Sequence, residues 1–513
     1  MCLFMAFIVF IAPALEIFGA NGDSLVFPLP VVWWVPPLFC VPIAIGVAAL
    51  LACVRGRAFY YALGVVFLIT LAAYVQSLFL NQGMMPADGG YVGWNEPYFI
   101  VRKVVSGIVW AAIIVVPLAL LRFNFHGSLK AACALACAIM VVQGVGVASV
   151  ALDASKTSQA DSARPYVTQG GLLSVSPESN VIVFVLDTYD TALLQAILQQ
   201  DPGFLADFED FTYFPDSVGT MIPTANAVPN LLTGLKPKPG QDLGEYRRDK
   251  YAKSRFLGDI AAQGYSVGLY SDSLMMDFAN PADRAAADLT MNVHPVSHAP
   301  IDVWRTFLVM EQCALYREAP WLLKEPFWYY TSNLNNRMIA DAHDGDLGDS
   351  LYELDDAAIL DLLHTRGLSA DDVEGAGAFR FIHLFGPHFP YSVDEQGHDV
   401  GTNHSDQLAQ ARGSMHVVAE YLAQLKALGL YDQATIIVTA DHGVWYITDD
   451  PPRAPISPIM LAKPARTAPA GVDEPAGAPE SAGAGEPAGA AAPAESTAPA
   501  TAAPATAGAD EPA

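Results

Sequence analysis

Residues 180–187 read NVIVFVLD, a short apolar run rich in β-branched residues that ends in an acid. A run of that length with no polar alternation suits a strand covered on both faces, as in the middle of a parallel sheet. Comparable runs recur at Tyr265 to Tyr270, Phe379 to Phe385, Thr435 to Thr439 and Ile459 to Ala462. Between them lie helical patterns, notably Lys250 to Gln263 and Ser405 to Leu428, the second closed by Gly429. Strands alternating with helices predict a doubly wound, mostly parallel α/β sheet.

Ligands of such sheets collect at the carboxyl ends of the strands. Those ends are polar here. The first run closes on Asp187, the fourth leads into Asp441-His442-Gly443, and the third carries His383 and runs on into Gly386-Pro387-His388. Carboxylates, an imidazole and a hydroxyl at one sheet edge form the oxygen and nitrogen donor set of Zn²⁺ or Mn²⁺, with Mg²⁺ or Ca²⁺ as further candidates. Singly, each residue has a plainer reading as a loop acid, a helix cap or a structural histidine. Alternation along the strand assigns His383 to the interior, as a structural residue.

Outward from this domain the composition divides in three. The 513 residues are 52% hydrophobic and 16% charged, with a formal net charge of −26. Residues 1–152 carry six basic and four acidic residues, 153–465 carry twenty and forty-two, and 466–513 carry one and seven. No segment offers the basic stripe that a nucleic-acid partner requires. Five apolar stretches, Met1 to about Gly19, Val26 to Cys53, Ala58 to Leu80, Tyr98 to Leu121 and Ala131 to Leu152, are long enough for membrane spans. The first lacks the basic start and small-residue cleavage site of a signal peptide. Pro30, Pro36, Pro37 and Pro42 predict a kinked second span or an interfacial helix. Basic residues in the connections at 54–57 and 122–130 place those loops in the cytoplasm, Arg102 and Lys103 running against the rule. An odd number of spans then leaves everything after Leu152 outside the cell membrane.

Residues 153–179 read as a linker. Residues 465–513, almost wholly Ala, Pro, Gly, Glu, Ser and Thr, read as a disordered tail. Cys2, Cys40, Cys53, Cys133 and Cys137 fall in the expected spans, which leaves Cys313 alone in the exported part and no disulfide within it. The stretch 314–331, ALYREAPWLLKEPFWYYT, mixes aromatic residues with Arg317 and Lys324. It fits either the headgroup region of the outer leaflet or an ordinary insertion packed on the domain.

NVIVFVLD, TANAVPNLLTG (224–234), HLFGPHFPY (383–391) and IIVTADHG (436–443) occur in an order that resembles the alkaline phosphatase and sulfatase superfamily. With spans in front, the layout is similar to its membrane-bound transferases, the lipoteichoic acid synthases and phosphoethanolamine transferases. The resemblance implies a catalytic domain over 180–464. It makes Asp187, Asp441 and His442 ligands of a single divalent metal, and Thr224 both ligand and nucleophile. Thr220, after Gly219, is the alternative nucleophile, and a helix cap is the plain reading of Thr224. His388 matches the histidine that bonds the phosphoryl group or leaving oxygen, and Asn226 is a further candidate for substrate binding. Sulfatases carry paired acids after the first strand and Cys or Ser, then Pro and Arg, in the nucleophile segment. Here stand Asp187-Thr188, Thr224 and Val228, and Thr is not convertible to formylglycine by the usual route. No histidine lies between Gly443 and Pro464, which favours one metal over two.

The expected activity is therefore transfer of a phosphoglycerol or phosphoethanolamine group from a phospholipid donor to a cell-envelope glycan or glycolipid, through a phosphothreonine. A sulfatase-like hydrolase of the same fold, cleaving phosphodiesters or sulfuric esters, is the alternative. A non-catalytic membrane scaffold is a third reading, set against an intact ligand set.

Overall fold

The computed structural model describes residues 1–466 apart from 22–28, 83, 85–93, 162–164, 239, 296–300, 330–333, 335–336, 340–346, 349, 371–374, 403 and 444–456. The tail expected at 465–513 lies outside the described residues beyond Arg466.

Among the described residues, four helices are long and apolar enough to cross a membrane: α1 (Leu29–Cys53), α2 (Arg57–Val75), α3 (Pro97–Leu121) and α4 (Phe125–Asp161). They correspond to the second to fifth expected spans. Before them runs helix from Cys2–Met5 through Ala6–Ile11 to Ala12–Asn21. Its apolar part, Cys2–Glu16, is shorter than the four others. Pro36, Pro37 and Pro42 lie inside one helix, α1.

The second part of the chain is a sheet covered by helices. Its strands are β1 (Pro165–Val167), β2 (Asn180–Leu186), β3 (Thr212–Tyr213), β4 (Tyr265–Tyr270), β5 (Val293–Pro295), β6 (Gly377–Leu384), β7 (Ala434–Thr439) and β8 (Met460–Lys463). Six of them order as β3-β8-β7-β2-β6-β4. The pairs β2·β6, β2·β7 and β4·β6 are parallel, whereas β8 runs antiparallel to both β7 and β3. The central strands are those the apolar runs predicted, and the last run forms the antiparallel side of the sheet. β6 is buried at all eight positions, Arg380 and His383 included, as a strand covered on both faces should be.

The covering helices are α5 (Thr191–Gln200), α6 (Thr224–Thr233), α7 (Leu243–Lys253), α8 (Phe256–Ala262), α9 (Val303–Glu318), α10 (Asp356–Thr365) and α11 (Gln407–Ala427). The helix expected over 250–263 is two. Ser254 breaks it, its hydroxyl donating to the Thr233 carbonyl at 3.0 Å and accepting the Phe256 amide at 3.2 Å. Part of the expected linker is also packed. β1 pairs antiparallel with β5, and Leu172, Leu173 and Val175 join the core. Buried Arg380 of β6 ties this segment down, donating to the carbonyls of Gly171 at 3.0 Å and Ser174 at 3.1 Å.

The segment 314–331 meets the apolar helices directly. Trp321 is 1% exposed, its ring 5.7 Å from that of Phe99 in α3. Its indole N–H donates to the Leu80 carbonyl at 2.7 Å. Arg102, whose place offended the charge rule, lies over the Trp321 ring at 5.2 Å, a cation–π contact. Arg317 at the end of α9 pairs with Glu16 at 2.7 Å, and Val309, Met310 and Cys313 pack with Ala12, Leu15 and Val147. The domain is thus seated on the N-terminal helices through α9 and the turn after it. Trp321→Ala empties this seat and is expected to cost about 3–5 kcal/mol, read as a lower unfolding midpoint of the full chain in detergent. An unchanged midpoint would contradict the packing.

Candidate active site

All four parallel strands deliver polar groups at one edge. After β2, the Asp187 amide still bonds the Leu384 carbonyl at 3.2 Å. The chain then turns at Thr188, whose φ is +58°. A β-branched residue in the left-handed region costs on the order of 1–3 kcal/mol and persists only where its surroundings fix it. Here the Thr188 amide donates to Asp441 Oδ1 at 3.2 Å. The same oxygen accepts the His442 amide at 2.7 Å. Two backbone donors thus orient the Asp441 carboxylate and leave Oδ2 for other use.

His383 projects from β6 at the level of Val185 in β2. Its Nδ1 lies 3.0 Å from the hydroxyl of Ser271, the residue after β4. Nε2 therefore faces the acids. Asp187, His383 and Asp441 each bring one ligand atom to within 4.8 Å of the others. Asp187 Oδ1, Asp441 Oδ2 and His383 Nε2 are buried and make no hydrogen bond among the described residues. His442 completes the group, its Nε2 3.3 Å from Asp441 Oδ2 and 3.9 Å from Asp187 Oδ1. Its Nδ1 faces the Gly443 carbonyl at 2.9 Å, which leaves Nε2 as the nitrogen turned inward.

Such a cluster is costly as it stands. Burial, and after it the Asp441 carboxylate, push the Asp187 carboxyl well above the usual range. Burial pulls the His383 imidazole below its ordinary value, which favours the neutral ring that ligates metals. Buried carboxylates are ordinarily paired or on a metal, and two acids with two imidazole nitrogens are a fitting donor set for a divalent cation. The group fits the residues present.

Thr224 is the first residue of α6, and the capping position belongs to Pro223. Its side chain places Oγ1 3.2 Å from His442 Nε2. Thr220 is not brought there. Its exposed hydroxyl donates to Asn230 Oδ1 at 2.5 Å. Asn226 is buried with both ends of its amide engaged, Nδ2 donating to the Ile222 carbonyl at 2.9 Å and Oδ1 accepting from Arg247. Val228 is in the core. His388 lies close enough for its titration to respond to Asp441, His442 and His383, with burial as the main influence lowering its pKa.

His383 corrects the sequence reading. It is interior, as alternation requires, yet its Nε2 points into the acid cluster. The signal available was its position one residue before the end of a central strand. Asp356 was missed altogether. It is buried at the start of α10, accepts the amides of Phe385 at 2.7 Å and Gly386 at 3.2 Å, and takes the Ser414 hydroxyl at 2.5 Å. Gln410 grips the same loop from α11, donating to the carbonyls of Gly386 at 2.8 Å and His388 at 2.7 Å. Gly386, at φ +61°, lies where a Cβ would come within 2.5 Å of the Asp187 carbonyl oxygen, so only glycine admits this approach. No local motif announces contacts that span 22 to 58 residues.

Residues 284–454 match the family model described as type I phosphodiesterase / nucleotide pyrophosphatase. The stretch contains His383, His388, Asp441 and His442. It agrees with the resemblance to the alkaline phosphatase superfamily, and the doubly wound sheet is the fold that resemblance implies. Comparison with the curated proteins returns no match. Among solved structures, the chain is similar to a protein in the alkaline phosphatase superfamily from Vibrio parahaemolyticus, at 12% identity and a TM-score of 0.32 over 59% of this chain and 63% of that one. It is similar to the integral membrane lipooligosaccharide phosphoethanolamine transferase A of Neisseria meningitidis, at 13% identity and a TM-score of 0.30 over 90% of this chain and 87% of that one. A third likeness is to the C-terminal periplasmic domain of EcEptC from Escherichia coli in complex with Zn, at 13% identity and a TM-score of 0.28 over 59% and 76%. The chain thus spans less than two thirds of the first of these. At such scores none supports a residue-by-residue correspondence.

The cluster predicts that Zn²⁺ or Mn²⁺ stabilises the full chain, by about 2.7 kcal/mol at a hundredfold excess over Kd. Asp187→Asn and Asp441→Asn are expected to lose that shift in thermal unfolding. A wild-type chain with no response to any divalent cation would remove the site.

Proposed function

We propose that the chain is a membrane-anchored phosphotransferase that depends on one divalent cation, Zn²⁺ or Mn²⁺. In this reading it moves a phosphoglycerol or phosphoethanolamine group from a phospholipid to a cell-envelope glycan or glycolipid, with its catalytic domain outside the cell membrane. The observation that carries the reading is the Thr224 hydroxyl, 3.2 Å from His442 Nε2, the nitrogen that also lies 3.3 Å from Asp441 and 3.9 Å from Asp187. Its helix N-terminus adds backbone N–H groups suited to phosphoryl oxygens. The packing of the domain on apolar helices supports access to a lipid. With the shorter N-terminal helix counted beside α1 to α4, five crossings with basic loops inside would put that domain on the outer face.

Asp187, Asp441, His442 and His383 would hold the cation, with Thr224 alongside. When bound it supplies positive charge that favours the threonine alkoxide and offsets charge on the phosphoryl oxygens. The residues of the chain do the rest. Thr224 Oγ1 loses its proton and bonds to phosphorus, the bond from phosphorus to the diacylglycerol oxygen breaks, and that oxygen takes a proton. In the second half an acceptor hydroxyl gives up its proton, bonds to phosphorus and releases Thr224. His388 is the group proposed to carry these protons. Its Nδ1 faces the Phe389 carbonyl. Burial keeps the ring neutral at pH 7, which suits it to take a proton first and return it.

The phosphodiesterase description of the matched family favours a second reading, in which water replaces the glycan acceptor. Product analysis with and without an added glycan or glycolipid separates the two. For the shared first step, Thr224→Ala is expected to lower turnover of a phosphodiester at least about a thousandfold and to abolish any phosphorylated peptide by mass spectrometry. Thr220→Ala is expected to leave both intact. Undiminished turnover in Thr224→Ala would sink the assignment.

A further inference from the structure

Helix α9 belongs to the sheet-bearing part of the chain, yet together with the turn after it it crosses the ends of all four long apolar helices. Near its start, the rings of Phe307 and Trp304 lie 4.6 and 5.1 Å from that of Phe39 in α1. In its middle, Val309, Met310 and Cys313 share a buried cluster with Val147 of α4. Past its end, Trp321 bonds the Leu80 carbonyl and packs on Phe99 of α3. Phe39 lies five residues inside the apolar stretch Trp34–Cys53, Phe99 two inside Pro97–Leu121 and Val147 two inside Phe125–Ser149, while Leu80 closes Arg57–Leu80. The contacts thus fall at a helix start, an end, a start and an end in chain order. For helices that cross a membrane in alternation, those four ends share one side. A segment that meets all of them runs along the membrane surface, and the 16 residues of α9 reach about 24 Å across it.

Most of α9 is buried between these helices and the rest of the domain. Trp304 and Leu308, one turn apart on one face, are 53% and 46% exposed. In the turn after α9, Leu322 and Leu323 are 67% and 54% exposed beside the buried Trp321. Apolar residues scattered singly over a surface need no explanation. These stand at a particular level. On the face of α1 that Trp304 meets, Ile43 and Leu50 follow Phe39 by four and eleven residues, and both are exposed. In a bilayer that face meets acyl chains, and Trp304 sits at its head. Five residues inside the stretch correspond to about 7.5 Å of helix, within the roughly 5–10 Å to which interfacial helices bury their apolar side. An indole ring favours that level.

We propose that the first turn of α9, through Trp304 and Leu308, and the turn at Leu322 and Leu323 are immersed in the lipid leaflet on the domain's side of the membrane, the outer leaflet in the reading above. The sheet-bearing domain then carries a membrane contact of its own, besides its packing on the spans, and that contact sets its height over the bilayer. It presupposes the four membrane spans and no particular reaction.

The test uses the full chain in phosphatidylcholine nanodiscs, with tryptophan emission read against acrylamide in the water and against phosphatidylcholine brominated in the upper half of its acyl chains. The emission of Trp304 is the difference between the wild type and Trp304→Phe, a substitution that keeps an aromatic ring beside Phe39. That emission is expected to be lost to the brominated lipid and spared by acrylamide. Leu308→Trp and Leu322→Trp, each made in the Trp304→Phe chain at an exposed position, should add emission with the same pattern. At either turn, quenching by acrylamide alone would put the residues in water and overturn the proposal. Emission that neither quencher reaches would mean that protein, such as a second copy of the chain, covers the face, and would overturn it as well. Turnover of a phosphodiester is measured separately, so a chain quenched as expected but inactive would count against the phosphotransferase reading and leave the lipid contact standing.

Discussion

Two carboxylates, Asp187 and Asp441, stand together in the interior with an oxygen each that nothing among the described residues satisfies. Their mutual repulsion in a medium of low dielectric is the constraint on which the rest depends. The chain keeps them there at a cost of several kcal/mol, and it adds strain at Thr188 to do so. Such an arrangement is maintained where a cation repays it. The inward nitrogens of His383 and His442 and the Thr224 hydroxyl complete the shell such a cation would want.

The scaffold explains how that cost is tolerated. Each candidate ligand sits at or next to the end of a parallel strand, where the register of β2 with β6 and β7 fixes its height. Backbone amides hold Asp441, Ser271 orients His383, and the Gly443 carbonyl turns His442. Asp356 and Gln410 clamp the loop bearing His388 against Asp187. Preorganised groups of this kind need no rearrangement when charge develops on a substrate. The same domain rests on the apolar helices through α9 and Trp321, so the site is carried by a body fixed to the membrane region.

Much of this was legible in the amino-acid order, for identifiable reasons. Central strands announce themselves because burial on both faces demands continuous apolar runs, and an acid at the end of such a run is conspicuous. NVIVFVLD and IIVTADHG therefore marked both carboxylates and His442. The place of His383 beside the acids was not legible because period-two alternation says only that a residue is interior. It does not say whether that interior is apolar or a polar pocket at the strand end. Asp356 and Gln410 were silent for a different reason. Their meaning lies in contacts with residues far away in the chain, and a lone acid or amide on a helix has no local signature. The packed segment 165–175 resembled a linker since its hydrogen bonds go to the side chain of Arg380 and to short strand pairings rather than to a long ladder.

The most direct measurement is X-ray absorption spectroscopy on the purified full chain loaded with Zn²⁺. The account predicts a tightly bound ion with a shell of oxygen and nitrogen only and the scattering signature of imidazole, with the imidazole contribution reduced in His383→Ala and again in His442→Ala. A spectrum of hydrated zinc, or a shell that neither substitution changes, would contradict it.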